Sequence, residues 1–209
     1  MTPPDTFRAE DLKNEIAYIR NLAEEGHRPD SAGGSILVTA GLGWGAMSVL
    51  QAGAFAGVLP EWPAWLWWVP MPLFVAVVVH VSRSQRRRPG GPSPLNRALQ
   101  NAWTGIGCAM GAIVVSFIVI SAVTGSGAAW GGMPSVFLAL YGAGWTLYGV
   151  LSKQKWVMVV AIACFFFAPL IALLAQRPVE SLLAYAVALL VLVAAPGFVM
   201  MRNNRVVTG

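Results

Sequence analysis

Arg83-Ser84-Gln85-Arg86-Arg87-Arg88-Pro89-Gly90-Gly91-Pro92, running on to Arg97, is the one long basic run in the chain, and it lies between two apolar segments. Short loops rich in Lys and Arg stay on the cytoplasmic side of a membrane, so such a loop sets the orientation of whatever it joins. Arg83, Arg86, Arg87, Arg88 and Arg97 are therefore the topology-setting residues.

On either side of this loop, six apolar runs occupy residues 35–58, 64–82, 98–124, 134–151, 156–176 and 181–201, and none contains Asp, Glu, Lys or Arg. Each has about the 17–25 residues that a helix needs to cross the hydrocarbon layer. Composition agrees: the chain of 209 residues is 56% hydrophobic and 11% charged, against about 25% charged in a typical soluble domain. So few charges leave too little polar surface to face water. The expected class is all-α and polytopic, with six transmembrane helices over 35–201, a cytoplasmic N-terminal segment at 1–34 and a cytoplasmic tail at 202–209. The connections are short, which makes sequential helices antiparallel neighbours.

Orientation follows from counting charge. With the N-terminus inside, every one of the 14 Lys and Arg residues except Arg177 falls on the cytoplasmic side. The net charge of +5 thus lines one membrane face and does not point to nucleic acid. Tryptophan fits the same frame, because indole prefers the headgroup level. Trp62, Trp65, Trp67 and Trp68 crowd the outer end of the second run, Trp130 follows the third, and Trp103 and Trp156 mark inner ends.

Asp5 or Thr6 can cap a helix running to about Glu25, with Gly26 placed to end it. Leu12, Ile16, Ile19 and Ala23 recur on one face, and Glu10, Asp11, Lys13, Glu15 and Arg20 supply the wet side. A lipid-binding helix is usually rich in Lys and Arg on its polar face; this one is mixed, with acid slightly in excess, so protein contact is the favoured reading. Within it, Ile16-Ala17-Tyr18-Ile19-Arg20-Asn21-Leu22-Ala23-Glu24-Glu25-Gly26 followed by an apolar bundle resembles the opening of a type of bacterial six-span inner-membrane protein. That resemblance implies a bacterial membrane and no particular chemistry.

Two internal similarities compete. Gly41-Leu42-Gly43-Trp44 in the first run returns as Gly142-Ala143-Gly144-Trp145 in the fourth. These runs cross in opposite directions, so the match implies a 3+3 inverted repeat, a transporter architecture. The rival pairs successive hairpins through Ala46-Met47 with Ala109-Met110, and Met71-Pro72 with Met133-Pro134. Under the first, Trp44 and Trp145 form an aromatic wall, with Gln51, Tyr141, Thr146 and Tyr148 as the nearest polar groups to orient a ligand. Otherwise each ring fills the gap left by its own glycines.

Small residues at four-residue spacing let helices approach closely in lipid: Gly41/Gly45, Gly53/Gly57, Gly107/Gly111, Ala168/Ala172 and Ala184/Ala188. They suit packing within one bundle, or a face such as Gly53/Gly57 joining subunits. Pro70, Pro72, Pro169 and Pro196-Gly197 are expected to bend or end their helices. His80 is an interfacial residue beside Arg83, and Asn101, Gln100 and Thr104 sit together at the inner end of the third run.

Cys108 and Cys164 lie inside apolar runs in no metal-binding spacing. The runs carry no acid–base pair, no lysine for a Schiff base and no phosphate-binding glycine loop. Gly125-Ser126-Gly127 resembles a nucleophile loop but has no partner base. No cofactor, metal or catalytic residue is expected. The leading functional expectation is a non-enzymatic accessory or self-associating subunit of the bacterial inner membrane. Its partners are the bilayer and a protein or second copy met through the spans or the N-terminal helix. The alternative is a carrier or pore for an apolar or weakly polar solute.

Overall fold

The computed structural model of the chain describes residue 14 and residues 32–61, 64–86 and 94–205. The helices are α1 (Ala32–Phe55), α2 (Pro70–Arg86), α3 (Pro94–Thr124), α4 (Met133–Ser152), α5 (Lys155–Ala172), α6 (Pro178–Leu189) and α7 (Ala195–Arg205). Short 3₁₀ turns at Ala64–Trp68 and Ala128–Gly132 lead into α2 and α4, and a π-turn at Leu190–Ala194 joins α6 to α7. Among the described residues there is no strand. Six stretches are long and apolar enough to cross a membrane, α6 and α7 together making the sixth. The fold is all-α and polytopic. The amphipathic helix expected near the N-terminus, Trp62, Arg87, Arg88 and residues 206–209 lie outside the described residues.

Proline sets most helix starts. Pro70, Pro94 and Pro178 open α2, α3 and α6, and Pro134 is the second residue of α4. Its missing N–H falls where a helix has no acceptor for one, and its fixed φ is already helical. The expected bends at Pro70 and Pro72 therefore turn out to lie in a first turn. The fifth run ends earlier than its apolar stretch. Pro169 lies inside α5, and the chain after Ala172 closes in tight turns, Leu174 N–H to the Ile171 carbonyl at 2.9 Å and Ala175 N–H to that of Ala172 at 3.1 Å.

Gly53/Gly57 does a different job from the one its spacing suggests. Gly57 stands at φ +70°, a left-handed conformation. Val58 N–H bonds the Gly53 carbonyl and Gly57 N–H that of Ala54, both at 3.0 Å. These paired bonds with a left-handed glycine terminate α1 and satisfy its last carbonyls. Leu59 packs back onto the bare Cα of Gly53.

Two packed pairs make the core. The α4–α5 hairpin is one; α1 against α6, the π-turn and α7 is the other; α6 also touches both α4 and α5. Leu138, Trp145, Val157, Cys164, Leu189 and Val193 fill the junction. The face of α1 turned to α6 and α7 carries Gly34, Leu37, Gly41, Gly45, Ser48 and Ala52, all buried and spaced three or four apart. The Ser48 hydroxyl is satisfied within the helix, donating to the Trp44 carbonyl at 2.8 Å. α2 lies on α1 and α3 on α4, and Leu99 is the buried residue of α3. Because the links are short, helix direction alternates along the chain. Arg83, Arg97, Lys153, Lys155 and Arg202 consequently sit at helix ends on one side of the bundle, and Glu61, Arg177 and Glu180 on the other.

Candidate functional site

The local sequence Leu190-Val191-Leu192-Val193-Ala194-Ala195-Pro196-Gly197 cannot continue as a regular helix. Pro196 has no N–H to give the carbonyl four residues back, that of Leu192, and its ring crowds that oxygen. The backbone widens just ahead of it into the π-turn, with Ala195 N–H donating to the Leu190 carbonyl. Such turns inside helices frequently mark functional positions. The Leu192 carbonyl accepts instead from the indole N–H of Trp145, at 2.9 Å in the buried interior. Left unpaired there, a carbonyl would cost about 1–3 kcal/mol. Trp145 is 0% exposed, so this hydrogen bond is shielded from competitors.

Both Gly-x-Gly-Trp motifs meet their neighbours in the same manner. In α1, a methyl on Gly41 would stand 2.8 Å from the Ala194 nitrogen and 2.9 Å from the Leu189 carbonyl, so this glycine lets α1 lie on the backbone of the π-turn. Gly43 seats Pro70 of α2, and Trp44 meets Phe74 edge to face, centroids 5.2 Å apart. In α4, Gly142 seats Cys164 and Phe165 of α5, and Gly144 seats the Trp103 ring of α3. Trp145 meets Trp103 edge to face at 5.6 Å. The first glycine thus receives a core helix; the second glycine and the tryptophan receive a flanking one. An inverted 3+3 repeat pairs α2 with the fifth span and α3 with the sixth. The second glycines instead receive α2 and α3, and the first glycines receive the sixth span and α5. Similar packing is achieved with partners that this repeat does not relate.

The six residues of the candidate cavity fall into two groups. Tyr141, Trp145 and Tyr148 belong with Trp103: Tyr148 lies edge-on to Trp145 at 6.1 Å, and Tyr141 lies tilted to Trp103 at 6.4 Å. Thr146, on the same helix, donates to the Gly142 carbonyl at 2.9 Å. Trp44 and Gln51 belong to the side that bears α2. Gln51 Oε1 accepts from the Trp67 indole at 3.2 Å. Trp103, expected as an interfacial marker, packs against the core instead. Its spacing from Leu99 and Ile106, four and three residues away, is the signal that it faces α4.

The small-residue pairs are also divided. Gly41/Gly45 is taken up by the sixth span, with Leu190 and the Ala186 carbonyl at ordinary contact, 3.8 Å, from a methyl on Gly45. Ala168 is buried in the α4–α5 contact, whereas Ala172 is exposed. A methyl on Gly107 or Gly111 of α3 would meet nothing within 4 Å. Cys108 between them is exposed, while Cys164 is buried. His80 and Asn101 are exposed, and Thr104 donates back to the Gln100 carbonyl at 2.8 Å. The buried hydroxyls of Ser152 and Ser181 have no hydrogen-bond partner. Among the described residues no three His, Cys, Asp or Glu side chains stand together.

No protein family, curated protein or solved structure matches the chain.

Proposed function

We propose that this chain is a non-enzymatic helical subunit of a bacterial inner membrane, with both termini in the cytoplasm, that pairs with a second copy of itself through the outward face of α3. The basic loop at 83–97 and the resemblance of residues 16–26 support the location and orientation. The observation that carries the pairing is the character of that face. Over residues 101–112, Asn101, Thr104, Gly105, Cys108, Gly111 and Ala112 lie opposite the side that α3 turns to α4, and all are exposed, while farther along the same face carries exposed Val115 and Val119. Small residues with a few polar groups are the composition of helix–helix contacts in lipid, where close approach replaces hydrophobic drive. The free face of α5 is built otherwise, from Val159, Ile162, Phe166 and Leu170, the bulky side chains that suit acyl chains.

Cys108 lies at the centre of the proposed contact and is a ready reporter. Copies inserted the same way round bring residue 108 to its counterpart at equal depth. A short thiol–thiol cross-linker added to native membranes should give a covalent dimer that Cys108→Ser abolishes and Gly111→Leu largely removes. A chain that remains monomeric, or a dimer indifferent to Gly111→Leu, would remove this reading. An adduct of another mass would replace the second copy with a different membrane protein.

A further inference from the structure

We infer that the sixth span is two rods joined by a hinge at Leu190–Ala194, and that the indole of Trp145 is the latch that fixes the angle between them. Three observations converge on the same few residues. The regular ladder shifts register at the π-turn and loses a donor at Pro196, so backbone hydrogen bonding between the two rods is interrupted twice. The carbonyl abandoned by Pro196 is held from another helix, by Trp145 of α4. Finally, the second rod, α7, begins with its backbone pressed close against that of α1. A methyl on Gly197 would stand 2.8 Å from the Gly34 carbonyl, and one on Gly34 would stand 2.5 Å from the Gly197 carbonyl. Side chains flank this contact: Leu37 and Val38 stand beside Gly197, and Met200 and Met201 beside Gly34. Those apolar contacts are non-directional, and the Trp145 hydrogen bond supplies the directional restraint.

The latch is coupled to the proline, and that coupling separates it from mere filling of space. Trp145→Phe keeps most of the ring and removes the N–H. Amide hydrogen exchange in lipid nanodiscs should then speed about tenfold across residues 193–201, with residues 179–188 little changed. In a Pro196→Ala background, where residue 196 again carries a donor, the same Trp145→Phe change should alter exchange by less than about twofold. Equal acceleration in both backgrounds, acceleration spread over both rods, or none at all would overturn the latch. If Trp145→Phe does not accumulate, Pro196→Ala alone suffices, followed by NMR at the Trp145 indole N–H. Competition from the restored backbone donor should speed exchange of that proton, and unchanged exchange would overturn the inference.

Discussion

Gly41 and Gly45 sit one turn apart on the same face of α1, and their surroundings differ by about an ångström. A methyl on Gly41 meets the Ala194 nitrogen at 2.8 Å, a backbone atom unable to move aside, whereas one on Gly45 meets its nearest atoms at 3.8 Å. Gly41→Val should therefore cost about 2 kcal/mol or more through forced separation of α1 from the π-turn. Gly45→Ala should stay within about 0.5 kcal/mol of the parent. Thermal unfolding midpoints in detergent, compared between the two variants, test this; equal midpoints would count against close contact at Gly41. Both glycines read alike in sequence, because a four-residue spacing says which face a residue occupies and nothing about how near the opposite backbone lies. The same limit applies to Gly53 and Gly57, where the spacing of a packing pair belongs to a helix end.

Among the elements, α3 is anchored by a handful of side chains along its length. Leu99 is its buried residue, and Trp103 reaches across to Gly144 and Trp145. Farther along, Trp130 donates to Ser121 at 2.8 Å and stacks edge-on against Phe117 at 5.7 Å. Trp103→Ala should loosen α3 at a cost of roughly 1–3 kcal/mol, less than in a water-soluble core because lipid replaces the lost contact. Limited proteolysis should then cut within residues 87–93 faster than in the parent, while Phe166→Leu on the free face of α5 leaves cleavage unchanged. If Trp103→Ala also leaves it unchanged, the anchoring of α3 lies elsewhere. The sequence showed α3 as long and apolar. That one of its faces packs on α4 while the other stays free became visible only once the helices were assembled.

At the scale of the molecule, two packed pairs flanked by α2 and α3 give an arrangement in which alternating helix ends separate charge. Ser84 lies beside the basic loop and Ser126 at the opposite ends of the helices, both exposed. In a background with Cys108 replaced by serine, Ser84→Cys should react with a membrane-impermeant maleimide only when the cytoplasmic face is opened. Ser126→Cys should react from the periplasm of intact cells. The converse pattern would invert the proposed orientation. Six uncharged apolar runs were enough to specify the number of spans, although Pro70, expected as a bend, opens its helix instead. These are local matters: a run is long enough to cross or it is not, and proline fixes its own φ wherever it stands. Which spans form the core, which glycines touch backbone, and which side chain serves the carbonyl that Pro196 leaves were settled by assembly. Trp145 and Leu192 are 47 residues apart, and no periodicity relates an indole on one helix to an unpaired oxygen on another. Only folding brings the donor to 2.9 Å from its acceptor.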